Sequence, residues 1–98
     1  MILIADSGAT KTDWCFGNTL HDCQVVHTEG INPFHLTEEK IKQLLQESLL
    51  AQLPFPQEEV KAIFFYGAGC TPEKAGKLSG LLAEAFPHAT IQWKVIAW

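Results

Sequence analysis

No run of about 18 apolar residues occurs in the 98-residue chain, so no segment of it is long enough to cross a bilayer as a helix. Basic residues are also scarce: Lys and Arg number seven against eleven Asp and Glu, for a formal net charge of -4. The seven are scattered, whereas a nucleic-acid backbone is held by clustered cations, so a nucleic-acid partner is not expected. The three cysteines make an odd count without a Cys-x-x-Cys, and neither a disulfide framework nor a zinc site is signalled. Cys15 and Cys23 could face each other across a hairpin, but a reducing cytosol favours two small reduced core residues. Asp6 interrupts the apolar opening "MILIAD", which has no basic flank. A signal peptide is therefore not expected, and a cytoplasmic location is. Repeats, low-complexity tracts and linkers are absent, and residues 1–98 are expected to form one domain with one modest core.

The apolar patterning sets out the order of elements. "MILIAD" and "VKAIFFYGAG" are continuous apolar runs ending in turn residues, the pattern of strands covered on both faces. "TDWCFG" and "CQVVHTEG" add two strands either side of the loop "GNTLHD". Thr37 can cap a helix with Ile41, Leu44, Leu45 and Leu49 on one face, Leu36 stapling its start and "LPFP" ending it. Thr71 and Pro72 open a second helix with Ala75, Leu78, Leu82, Ala85 and Phe86 inward, closed by Pro87. "ATIQWKVIAW" supplies a fifth strand. The expected fold is α/β: a mixed five-stranded sheet in the order βββαβαβ with two helices and right-handed crossovers.

Chemistry is concentrated in "LIADSGATKTDWCFG", where a strand ends in Asp, Ser and Gly and resumes after Thr-Lys-Thr. A strand-to-strand corner exposes backbone N–H groups, Gly8 lets a ligand approach them, and Thr10 and Thr12 offer hydroxyl donors to phosphate oxygens. Asp6 is placed to hold Mg²⁺ through water, and Lys11 adds positive charge. A solvated polar hairpin is the alternative, since an Asp-x-Gly-x-Thr pattern is short. Two other stretches are candidates. In "TEGINPFHLT", Asn32 can donate and accept, although Asn32-Pro33 can also simply turn the chain. In "FFYGAGCT", a strand ends in glycines before a helix start, suited either to presenting N–H groups or to close packing. His21, His27 and His88 share no ligand spacing, and Trp14, Trp93 and Trp98 are expected in packing roles.

"IADSGATKTDW" resembles the first phosphate motif of the actin, sugar-kinase and heat-shock-chaperone ATPase superfamily. Within it, the N-acetylglucosamine kinases and BadF/BadG/BcrA/BcrD-type ATPases are most similar. The element order matches the ribonuclease H-like N-terminal half of these proteins. The resemblance implies that Asp6, Gly8, Ala9, Thr10, Lys11 and Thr12 bind the phosphates of ATP with Mg²⁺. It implies that Asn32, with Gly30 and His35 nearby, touches an amino sugar, and that Gly67, Ala68, Gly69 and Cys70 line the cleft. It also implies that the acceptor base, a second phosphate loop and a second domain lie beyond residue 98. No catalytic residue is then expected within the chain, which reads as a truncated and inactive kinase part. Two alternatives remain open. One is an ATPase activator of an iron–sulfur dehydratase, which shares the corner; the other is a non-catalytic module that self-associates or captures a complementary half through its last strand.

Overall fold

The computed structural model describes residues 1–8, 10–18, 23–31, 36–68 and 72–96. Five strands form one mixed sheet: β1 (Ile2–Ser7), β2 (Lys11–Gly17), β3 (Gln24–Glu29), β4 (Ala62–Ala68) and β5 (Thr90–Ile96). Their spatial order is β3-β2-β1-β4-β5. The first three strands make an antiparallel meander, with Ile4 opposite Cys15 and Trp14 opposite Val26. β4 lies parallel to β1, with Leu3 opposite Ile63, and β5 parallel to β4, with Phe65 opposite Trp93. Parallel neighbours require crossovers, and the two helical segments supply them.

The first, α1, runs through Glu38–Gln43 in α geometry, Leu44–Leu49 as a π turn, and Leu50–Gln52 in α geometry again. Thr37 caps it, its Oγ1 accepting the Lys40 N–H at 3.2 Å. The wide turn shows in the Leu50 N–H, which donates to the Leu45 carbonyl five residues back. The second, α2, spans Pro72–Ala85 and begins at the expected first-turn proline, while its expected cap, Thr71, lies outside the described residues. Ile41, Leu44, Leu45 and Leu49 of α1 are buried, as are Ala75, Leu78, Leu81, Leu82 and Ala85 of α2 and Phe86 just beyond it. They close over Leu3, Ala5, Trp14, Phe16, Ile63 and Phe65 in a single core. Lys42 and Glu84 bridge the two helices at 3.3 Å.

Both helices therefore lie on one face of the sheet, which corrects the expectation that β1 and β4 are covered twice. Leu3, Ala5 and Ser7 are buried, whereas Ile2 is 40% exposed and Ile4 is half-buried. Phe64 and Tyr66 stand half-buried beside them, and Val25 is 51% exposed. The alternation comes from the two-residue period of a strand with packing on one side only. A second correction concerns Cys15 and Cys23. They are joined as a disulfide with Cα atoms 5.9 Å apart, and they sit half-buried and exposed rather than in the core. The antiparallel return of β2 into β3 brings them within the reach such a bond requires. Among the described residues, no helix is long and apolar enough to cross a membrane.

Candidate functional site

The corner between β1 and β2 forms because the two strands stay paired up to Ser7 opposite Thr12, leaving only residues 8–11 to reverse the chain. The Gly8 N–H closes the turn by donating to the Lys11 carbonyl at 2.9 Å. Gly8 is not held in a left-handed conformation, and among the described residues a Cβ built on it would meet nothing closer than the Lys11 carbonyl at 3.7 Å. Thr10 and Lys11 are exposed.

Strand alternation divides the corner between the two faces of the sheet. Asp6 is exposed on the open face, opposite Asp13 of β2 and Tyr66 of β4. Carboxylates opposite one another on adjacent strands repel. Asp13 is offset by two neighbours: His27 Nδ1 donates to its Oδ1 at 2.6 Å, and Lys11 Nζ lies 3.9 Å away. Among the described residues, the Asp6 carboxylate has no hydrogen-bond or salt-bridge partner, and no group of three metal-ligating side chains occurs.

Thr12 departs from the expected donor set. It is fully buried, and its Oγ1 donates to the Glu29 carbonyl at 3.0 Å and contacts Ser7 Oγ at 2.8 Å. It shares the two-residue period of Trp14 and Phe16, so its hydroxyl braces the corner from beneath. The Gly67 position is likewise internal. Gly67 is buried opposite Ser7, and a Cβ there would come within 2.7 Å of Phe65 Cε1, so the glycine serves the packing of that ring. Ala68 continues the β4 backbone as its last residue, opposite Ile96 of β5. Ala9, Asn32, His35, Gly69 and Cys70 lie outside the described residues. Gly30 is half-buried, directly after β3.

Sequence reasoning assigned no role to Ser7. It is 2% exposed, accepts the Ile31 N–H at 2.9 Å and lies 3.2 Å from the Ile31 carbonyl. The Leu3-Ala5-Ser7 alternation carried the signal that its side chain turns inward, toward the hydroxyl of Thr12.

A meander of three strands, two parallel strands joined through helices on one face, and a glycine corner between the first two strands define the sugar-kinase (actin-like ATPase) half-domain fold. More particularly, the chain is similar to a putative N-acetylglucosamine kinase from Porphyromonas gingivalis. The two are 38% identical with a TM-score of 0.85, over 97% of this chain. The chain spans about a third (34%) of that protein's length. No protein-family model and no curated protein matches the chain.

Proposed function

We propose that the chain is the ATP-phosphate-binding part of an ATP-dependent N-acetylglucosamine (amino-sugar) kinase-like protein, acting in the cytoplasm. The similarity to the Porphyromonas protein carries this reading, because the match, 38% identical at a TM-score of 0.85, covers 97% of this chain. The corner's own properties support it: an exposed carboxylate on Asp6, and a Gly8 with open space about its Cα among the described residues, where a ligand can come close. Bound ATP with Mg²⁺ would supply the transferable phosphoryl group. Asp6 would hold the metal through water, the corner with Thr10 and Lys11 would hold phosphate oxygens through the N–H groups that the Gly8–Lys11 turn bond leaves over, Gly8 giving the ligand room to approach, and Thr12 would act from below by fixing the corner. Asn32 would contact the sugar, with the backbone of residues 67–69 nearby.

Phosphoryl transfer depends on positioning both reactants in a closed cleft, so the chain alone is expected to bind without appreciable turnover. Calorimetric titration with Mg·ATP is expected to give weak binding that Asp6→Ala abolishes. Absence of heat with the unaltered chain, or equal heat with Asp6→Ala, refutes the assignment of the corner. Sugar-dependent ATP turnover above the Asp6→Ala control refutes the inactivity. A second reading is favoured by the position of β5 at the sheet edge: its free side could pair with a complementary part of the protein or with another copy. Sedimentation that stays monomeric across concentration counts against self-pairing.

A further inference from the structure

The buried hydroxyls beneath the corner form a directed chain. The Ile31 N–H donates to Ser7 Oγ at 2.9 Å; Ser7 Oγ and Thr12 Oγ1 lie 2.8 Å apart; and Thr12 Oγ1 donates to the Glu29 carbonyl at 3.0 Å. Each hydroxyl has one proton. With the Thr12 proton on the Glu29 carbonyl, the short link between the hydroxyls is made by Ser7 donating to Thr12. The Ile31 carbonyl, at 3.2 Å, is a longer secondary contact of Ser7. The chain starts and ends on one segment, Glu29–Ile31, and passes through the residues that bracket the corner, Ser7 before it and Thr12 after it. Ser7 and Thr12 are 2% and 0% exposed, and no buried side-chain polar atom is left unpaired among the described residues. In such surroundings hydrogen bonds hold position firmly, because water does not compete for the groups.

We infer that Ser7 is a positioning residue. Its hydroxyl, relayed through Thr12, fixes the Glu29–Ile31 segment against the phosphate corner, so that the two move together when phosphates bind. The inference rests on the function proposed above, in which the corner takes phosphates. A bridge of two hydroxyls is short enough that a displacement of the corner is passed to Ile31. Gly67, opposite Ser7 on β4, is buried as well.

The test is a backbone-amide NMR titration of the chain with Mg·ATP. In the unaltered protein the amides of Gly8 to Lys11 and of Ile31 are expected to shift together. In Ser7→Ala and Thr12→Val, the corner amides should still shift while the Ile31 response is lost. Ile31 amide exchange should be about tenfold faster in Ser7→Ala, which removes the acceptor of that N–H, and less affected in Thr12→Val, which leaves it. Thr12→Ser, which keeps the hydroxyl, should restore the Ile31 response, a rescue that simple loss of packing does not give. Corner shifts with a silent Ile31 in the unaltered chain overturn the inference and leave the phosphate reading standing, as does an undiminished Ile31 response in both hydroxyl-free variants. No shift at the corner overturns both. The unaltered chain decides the matter even if the variants lose their fold.

Discussion

Replacing Gly67 by alanine is expected to weaken the fold although it adds only a methyl group. The new Cβ would lie 2.7 Å from Phe65 Cε1, 3.5 Å from Cδ1 and 3.7 Å from Cζ. Comfortable carbon contacts lie at about 3.5–4.0 Å, so the ring must move by several tenths of an ångström or more. It has little room to do so. Phe65 is 2% exposed, sits in the central core and packs against Trp14 with ring centroids 6.2 Å apart at 59°. Overpacking of this kind costs about 1–3 kcal/mol. For a domain of this size each kcal/mol lowers the melting temperature by about 4–8 °C, so the variant should melt well below the parent. Urea unfolding is the better assay, because a lower midpoint at unchanged slope isolates stability from denatured-state effects. The cause is testable through Phe65→Leu, which removes the offending ring atoms. Against that background Gly67→Ala should be nearly neutral, with a coupling of about 0.5–3 kcal/mol. An unchanged midpoint for Gly67→Ala, or strict additivity of the two changes, would refute the argument that the ring is why glycine stands there.

Trp14→Phe is expected to cost about 1–3 kcal/mol in the same unfolding assay, because it removes the indole N–H that donates to Thr28 Oγ1 at 2.9 Å and vacates part of a fully buried site. Lys42→Ala should change stability by less than about 1 kcal/mol, since the Lys42–Glu84 pair joins side chains that are 47% and 63% exposed. A larger loss would mean that this bridge, and not the apolar seam between α1 and α2, holds the helices together.

The order of elements was legible because each carried its own punctuation: Thr37 at one helix start, Pro72 at the other, Pro54 and Pro87 beyond their ends. Coverage of the sheet was not. Ile2-Leu3-Ile4 is apolar at every position, and such a run looks the same whether one face is packed or both; only the placement of α1 and α2 on the Leu3 side separates the cases. Within the corner, the motif took Asp6, Gly8 and Thr12 together without regard to strand parity. The alternation Thr12-Trp14-Phe16 already placed that hydroxyl with two aromatic core residues. Ser7 was missed for a related reason. Its partners, Thr12 and Ile31, are close only after β1, β2 and the exit from β3 have assembled, and no local pattern encodes that meeting. The Cys15–Cys23 link depends on the β2–β3 return in the same way.

β1 is the first of the five strands in chain order and the middle strand of the sheet. Its partner on one side follows at once, Ile2 meeting Gly17, but on the other side Ile2 must wait for Ala62. A nascent meander would thus carry a bare backbone edge until β4 arrives, and a Leu3-Ala5 stripe left open until the helices pack on it, the interval in which such a chain is most prone to stick to its neighbours. Closure of that long loop, rather than either hairpin, is expected to set the pace at which the molecule matures.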